Sequence, residues 1–277
     1  MLQKYEGMHK SVLGYFDENI EAEKKAKSYN ALAHYTKIKV LKKILTSKKI
    51  KFTNVAKLAG KSEQISVGGE MYSNYIFSLS FTHQLDDNDK MWKFFGDNYN
   101  GAKIVFCFYN NIEDLIEKNS LAEGMYGGEV KAKFEFSGKD SNYLRNDNLF
   151  KRGILISLYY RDADYSNKEE LDFESAFKVK DECWIDLKNL VNIKAKHKYQ
   201  EETRINAVLS TNKNIEKINY LYVPLNFEKL KEIRIEFGKN CEQKDIEEIE
   251  NIIKSEHLKN IKLIKAEEWS SAFYLSK

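Results

Sequence analysis

The sequence has very little proline, which interrupts helices and strands, and very little cysteine, which can cross-link a chain. Proline occurs once, and three widely spaced cysteines show no metal-ligand spacing. Three free thiols are typical of a reducing compartment, and an odd number excludes a fully disulfide-paired secreted scaffold. No apolar stretch approaches the ~20 residues of a membrane-spanning helix, and residues 1–20 contain no apolar signal-peptide core. We therefore expect a cytoplasmic protein with no membrane association.

The chain also lacks a strong charge of one sign and the glycine-rich motifs that bind phosphates. Forty-five basic residues are nearly balanced by 42 acidic ones, and the net charge of +3 is too small to indicate nucleic acid. The absence of G-x-G-x-x-G and P-loop motifs argues against Rossmann and P-loop enzymes. The densest basic stretch, residues 37–51, has apolar residues at helical spacing, so it is mainly a solvated helix face. Phosphate binding by its lysines is the alternative.

What the chain does contain is enough apolar material for a substantial core. Hydrophobic residues make up 42% of the 277 residues, with 17 tyrosines and 16 phenylalanines. Periodicity predicts helices over residues 6–27, 37–47, 89–101, 111–121, 168–191 and 242–256. It predicts strands over residues 30–36, 49–54, 74–81, 101–109, 128–136, 153–160, 204–210, 218–225, 231–238, 261–267 and 271–276.

These elements do not alternate regularly, and antiparallel signals dominate, so the sequence predicts an α+β fold. We expect an N-terminal helix within residues 1–28 and a single domain over residues 29–277. Within that domain, residues 225–277 are a candidate for an appended helix–strand layer.

Polar side chains gather at four places, residues 34–36, 78–106, 159–166 and 196–205. Residues 34–36 lie at a strand–helix junction, where binding groups and helix caps both occur. Two other interpretations are therefore open. In one, the ring of His34 is hydrogen-bonded within the fold, and in the other, Thr36 caps the helix. Residues 78–106 surround a strand–loop–helix–strand unit, in which Trp92, Phe94 and Phe95 are most simply core. His83 and the aspartates that follow it lack a second histidine at ligand spacing, so we interpret them as a solvated loop.

The fourth place, residues 196–205, is the most specific. Gln200, Glu202 and Arg204 alternate at the start of a strand, which would put all three on one face. A carboxylate there is costly to bury unless it is paired. An ion pair between Glu202 and Arg204 on a sheet surface and a catalytic role for Glu202 are both open, and the spacing alone favours the ion pair.

In order, the segments "HYT", "SFT", "MWKFFGDNYNGAKIVF", "YYRDADYS" and "KYQEETR" are similar to bacterial domain-of-unknown-function family 2971. The similarity covers roughly residues 30–275. That family more faintly resembles the ADP-ribosyltransferase fold. The resemblance implies split antiparallel sheets with flanking helices, and NAD bound as a substrate in the cleft between them.

The resemblance also implies roles for individual residues. Glu202 would be the catalytic acid, because a nearby carboxylate stabilises the oxocarbenium ion that forms when the nicotinamide–ribose bond breaks. Gln200 would face the acceptor, and no metal is required. The implied NAD-binding residues are His34, Tyr35, Thr36, Ser80, Thr82, Trp92, Tyr99 and Arg204, with Tyr35, Trp92 or Tyr99 stacked on nicotinamide.

The function implied by the resemblance is an NAD-dependent ADP-ribosyltransferase or NAD glycohydrolase, acting as a bacterial toxin or phage-defence effector on an unknown acceptor. The alternative is a non-catalytic nucleotide- or nucleic-acid-binding module of a defence system. Residues 37–51 and aromatic residues within 91–99 motivate that alternative. A third hypothesis is an interaction protein whose charged helices, residues 6–27 and 242–256, dock partners or form a homodimer.

Overall fold

A computed structural model provides the structure of the protein. It describes residues 14–16, 28–57, 66–67, 70–71, 76–117, 122–124, 128–130, 132–136, 154–163, 184–186, 195–210 and 219–268. The helices are α1 (Ile38–Ser47), α2 (Asp89–Phe94) and α3 (Gln243–Ser255). Short 3-10 turns cover Val55–Lys57, Ile112–Leu115, Ala195–Gln200, Phe227–Lys229 and Ala266–Glu268.

The strands are short, and most of them join one sheet. They are β1 (Gly14–Phe16), β2 (Ala31–Thr36), β3 (Lys49–Asn54), β4 (Ser66–Val67), β5 (Glu70–Met71), β6 (Ile76–Thr82), β7 (Ala102–Phe108), β8 (Ala122–Gly124), β9 (Gly128–Val130), β10 (Ala132–Phe136), β11 (Ile154–Asp162), β12 (Trp184–Asp186), β13 (Glu202–Ser210), β14 (Tyr220–Pro224), β15 (Leu230–Phe237) and β16 (Ile261–Ile264).

The main sheet is mixed and runs in the order β16-β15-β7-β2-β6-β3-β14-β8-β9, with β13, β11 and β10 attached through β6. Most of its pairings are antiparallel, and the β15–β16 and β10–β11 pairs are parallel. The α+β class is therefore confirmed. Two small pairs, β1–β12 and β4–β5, lie apart from this sheet.

The sheet divides at β6. A strand has two hydrogen-bonding edges, and β13 pairs with β6 from Ile76 to Thr82 along one of them. The other edge is shared, because β2 contributes the single pair Ala33–Thr82 and β3 pairs farther along, at Ser78 and Phe77. Beyond Ala33, β2 consequently turns away from β6, and a gap opens between the two strands.

Helices α1 and α3 cover the apolar face of the sheet. The buried residues of α1 recur at helical spacing, and α3 buries Ile246 and Ile249 against the same core. Lys42 of α1 bonds to Asp245 at 2.7 Å and to Glu248 at 2.5 Å. The charge of Lys42 in the basic stretch is therefore neutralised by α3. Two acidic side chains of α3 are likewise paired within the fold. The buried residues of α1 are Ile38, Leu41, Ile44 and Leu45.

The structure confirms most of the predicted elements and corrects three. Of the predicted helix over 111–121, the described residues 111–117 form only the 3-10 turn Ile112–Leu115, capped by Asn111. Strand β1 lies within the predicted helix 6–27, and β12 lies within the predicted helix 168–191. The other residues of those two helices, and the predicted strand 271–276, lie outside the described residues.

The late part of the chain belongs to the central sheet. Strand β15 pairs with β7 along its length, and β16 continues the same sheet beside β15. Strands β15 and β16 are therefore part of the main sheet. Within the described ranges, no helix has the length and apolar character needed to cross a membrane.

Candidate functional site

A cleft lies where β2 and β6 diverge. Its volume is about 200 Å³. Ligand pockets usually measure ~300–1,000 Å³, so this cleft suits one end of a dinucleotide rather than the whole molecule. Six of the predicted site residues line it, although they come from three separate parts of the chain. The lining residues are Ala33, His34, Tyr35, Ser80, Phe81, Met91, Phe95, Gln200, Glu202 and Arg204.

Glu202 is a buried carboxylate held by two partners. Its Oε1 accepts a short hydrogen bond from the Ser80 hydroxyl and an ionic one from Arg204 Nε at 2.5 Å. The sheet register explains this geometry, because Glu202 pairs with Thr82 and Arg204 with Ser80, which puts these side chains on one face. The predicted ion pair is confirmed, but it is only 4–7% exposed and lines the cleft instead of lying on a surface. Burying this charge requires such partners.

Gln200 reaches the cleft by a different route from the predicted one. It ends the 3-10 turn Ala195–Gln200 and is not part of β13. Glu201 follows with φ at 38°, in the left-handed region, and turns the chain into the strand. Simple strand alternation from Gln200 to Arg204 is therefore wrong, although Gln200 and Glu202 still line the same cleft.

His34 lies beside the gap between the two strands. Its Nδ1 is 3.0 Å from the carbonyl oxygen of Ser80. A carbonyl only accepts, so Nδ1 carries the proton, and in the neutral ring Nε2 is an acceptor. Burial lowers the pKa of His34, and the bond to Ser80 opposes that shift. The imidazole is therefore neutral at pH 7 and can accept a hydrogen bond from a hydroxyl.

The lowered pKa of His34 predicts a loss of stability in acid. Because the folded state resists protonation, the unfolded chain binds more protons as pH falls below the unfolded pKa. The free energy of unfolding should then decrease by at most ~1.4 kcal/mol per pH unit. Urea unfolding at pH 7.5 and pH 5.5 measures this. The decrease should be smaller in His34→Gln, which has no titrating ring, and equal decreases in both proteins would contradict the prediction.

Tyr35 lines the cleft and carries a buried, unpaired hydroxyl. The side chain is buried, and its oxygen has no hydrogen-bond partner among the described residues. Burial raises the pKa of Tyr35 far above its usual range, and the carboxylates of Glu236 and Asp87 add to the shift. The hydroxyl thus remains a donor at any physiological pH. An unsatisfied buried donor costs ~1–3 kcal/mol, so a ligand acceptor would relieve it.

Four other predicted site residues lie behind the lining. Trp92 is fully buried, packs edge-on against Tyr35 and donates to Asp87 at 2.7 Å. Tyr99 stacks on Trp92 and donates to Asp89. As placed, neither ring faces the cleft, so they support Tyr35 rather than a ligand.

The remaining two, Thr36 and Thr82, are also buried. The Thr82 hydroxyl accepts from the Gln84 amide at 3.1 Å. The N-cap of α1 is Lys37, with no side-chain cap bond, so the capping role considered for Thr36 is wrong. The chain packs closely at this point, because a Cβ on Gly101 would lie 2.3 Å from the Thr36 carbonyl oxygen.

Sequence reasoning missed four lining residues, Ala33, Phe81, Met91 and Phe95. It also predicted that Phe94 and Phe95 are core, whereas they are 69% and 43% exposed. No sequence signal marked this exposure, because the helix was predicted over residues 89–101 and ends at Phe94. A helix of six residues has too little buried surface for Met91, Trp92 and both phenylalanines, and only the first two are buried.

The opposite face of β13 carries a second polar cluster. Thr203 donates to Asp162 at 2.6 Å, and the Tyr29 hydroxyl donates to the other oxygen of Asp162 at 2.7 Å. His83 stacks on Tyr29 with ring centroids 4.7 Å apart and lies 3.4 Å from Glu201. His83 is therefore packed within the fold, not in a solvated loop as predicted. This cluster fixes the start of β13, where Glu202 lies.

In the part of the chain that the structure describes, no group of three or more His, Cys, Asp or Glu residues is placed to bind a metal. Searches against family models, curated proteins and solved structures give no match to this chain.

Proposed function

We propose that the protein cleaves NAD, as an ADP-ribosyltransferase or an NAD glycohydrolase, with Glu202 as the catalytic carboxylate. The observation that carries this proposal is the position of Glu202. It lies in a cleft formed by the divergence of two strands, with His34 and Tyr35 on one side and Ser80 on the other. A split sheet of this kind is what the ADP-ribosyltransferase-like fold implies.

The residues fit the chemistry of the reaction. When the bond between ribose and nicotinamide breaks, its electron pair leaves with the nicotinamide nitrogen and the ribose acquires oxocarbenium character. The negative charge of Glu202 stabilises that cation. Water or an acceptor then forms the new bond to the ribose carbon and loses a proton. Ser80 and Arg204 hold the carboxylate in place throughout, so that little reorganisation is needed.

The cleft would bind the nicotinamide–ribose end of NAD. Its volume of about 200 Å³ is too small for the dinucleotide. In this arrangement the neutral His34 accepts from a ribose hydroxyl, and Tyr35 donates to the carboxamide oxygen or to another ligand acceptor. Uncontrolled consumption of NAD removes a redox carrier from the cell, which agrees with the proposed role as a toxin or phage-defence effector.

The direct test is incubation of the purified protein with NAD, with nicotinamide release followed by chromatography. Time-dependent release that depends on Glu202 supports the proposal. If a folded protein binds NAD without releasing nicotinamide, the non-catalytic binding module replaces it. If NAD produces neither release nor heat in a calorimetric titration, the cleft is not an NAD site.

Replacement of Tyr35 by phenylalanine should separate folding from binding. Removing an unpaired buried hydroxyl should leave the free energy of unfolding unchanged or raise it by ~1 kcal/mol or more. The same change should weaken NAD binding by ~2- to 12-fold, because a ligand hydrogen bond contributes ~0.5–1.5 kcal/mol. Calorimetric titration and urea unfolding measure the two effects. A destabilised variant that still binds NAD normally would show that the hydroxyl serves the fold and not the ligand.

A further inference from the structure

Two exposed phenylalanines lie together at the edge of the cleft. Only four large hydrophobic side chains are exposed among the described residues, and Phe94 and Phe95 are two of them. Phe95 also lines the cleft. Single exposed apolar residues are normal, but adjacent aromatic rings beside a cleft are typical of an interaction site.

A third ring and a lysine extend this surface. Tyr199 is half-buried, and its ring centroid lies 6.2 Å from that of Phe94. Lys90 is one helical turn before Phe94, on the same face of α2, and its Nζ lies 5.1 Å from the Tyr199 centroid. We call Phe94, Phe95, Tyr199 and Lys90 the aromatic rim.

The aromatic rim is fixed to the fold. The Asn88 side chain donates to the carbonyl oxygen of Tyr199 at 2.9 Å and to Gln84 at 2.8 Å. The same residue caps α2 by accepting from the amides of Lys90 and Met91. The rings of α2 and of the 3-10 turn are thereby held against each other. A preformed rim costs less entropy on binding than a loop that must order.

Two exposed lysines adjoin the rings of the aromatic rim. Lys90 and Lys93 are exposed and form no ion pair within the described ranges. Asp86, Asp87 and Asp89 are exposed acids of the preceding loop, of which Asp89 accepts from the Tyr99 hydroxyl, and Asp97 pairs with Lys37 at 2.9 Å, so the charge around the rim is mixed. Aromatic faces combined with unpaired lysines are the composition of sites that stack nucleobases and follow a phosphate backbone.

We propose that the aromatic rim binds single-stranded nucleic acid and presents it to the cleft as the acceptor of ADP-ribose. A base stacked on Phe94 or Phe95 lies next to the cleft that contains Glu202. In the transfer, an acceptor nitrogen or oxygen bonds to the ribose carbon as the nicotinamide bond breaks, and the acceptor proton is released to solvent. The transfer rests on the proposed function, whereas the binding does not.

The test is a fluorescence anisotropy titration of the full chain, without NAD, against a fluorescein-labelled single-stranded oligothymidylate at low salt. Phe94→Ala should weaken binding ~5-fold or more, because base stacking on an aromatic residue is lost. Lys90→Ala should reduce the slope of log affinity against log salt by ~0.7. Tyr109→Ala is the matched control, since Tyr109 is an exposed aromatic residue that follows the far end of β7. Its affinity should equal that of wild type.

Two results would overturn the inference. One is the absence of oligonucleotide binding by folded protein, which is also the result expected if the acceptor is a protein. The other is equal affinity in wild type and Phe94→Ala. Nicotinamide release without oligonucleotide binding would overturn only this inference, and oligonucleotide binding without nicotinamide release would overturn only the proposed function.

Discussion

Glutamine at position 202 is expected to lower the rate of nicotinamide release by ~10²–10³-fold, the usual effect of removing one group that stabilises transition-state charge. The amide oxygen of glutamine can still accept from Ser80 and Arg204, so the cleft should keep its shape. The negative charge is lost. Because the charge matters mainly when the oxocarbenium ion forms, kcat should fall while KM changes little. Steady-state kinetics with NAD measure both constants.

The matched control is Glu201→Gln. Glu201 is the neighbouring carboxylate, but it does not line the cleft and contacts His83 instead. Its replacement should leave kcat within about twofold of wild type. Calorimetric titration with NAD should show binding in both variants. Equal release from wild type and Glu202→Gln, with both proteins folded, would remove Glu202 from the reaction.

Removing one partner of the buried ion pair between Lys103 and Glu236 is expected to have the largest effect on stability. The Lys103 side chain is 1% exposed, and its Nζ lies 2.5 Å from Glu236 and 2.9 Å from the carbonyl oxygen of Leu85. Lys103→Met leaves the carboxylate buried without its cation. The free energy of unfolding should fall by about 3–5 kcal/mol, the usual cost of breaking a buried pair. Urea unfolding gives the value.

Two further variants separate the buried charge from simple loss of packing. The double replacement Lys103→Met with Glu236→Leu removes both charges and should recover most of the lost stability. Lys37→Met breaks the surface pair with Asp97. The Lys37 side chain is 64% exposed and that of Asp97 is 43% exposed. It should cost less than ~1 kcal/mol, as surface pairs do. A single Lys103 variant no less stable than Lys37→Met would show that the buried pair contributes little.

The parts of the fold that could be predicted are those fixed by local periodicity. Strand β3 was predicted at its observed bounds, and α1 and α3 to within one residue at each end, because each has a regular apolar pattern. The resemblance added the order His34, Ser80 and Glu202, which the structure brings to one cleft. The ion pair of Lys103 could not be predicted from local periodicity. Lys103 lies in an apolar strand, and its partner belongs to the neighbouring strand β15.

Features set by pairing across the sheet could not be predicted. The division at β6 depends on where β2 stops pairing, and no residue type marks that point. The left-handed Glu201 breaks the alternation that the sequence suggested. The exposure of Phe94 depends on whether another element covers α2, and the sequence of α2 does not indicate this.

The pairing of β6 with β13 also has a consequence for synthesis of the chain. The contact between Ser80 and Glu202 joins residues 122 positions apart. A contact of such sequence separation forms late, because a long loop must close first. On the ribosome, the strands that contain His34 and Ser80 emerge long before the carboxylate does. The cleft is therefore incomplete in a nascent chain until Glu202 has been translated and β13 has paired with β6.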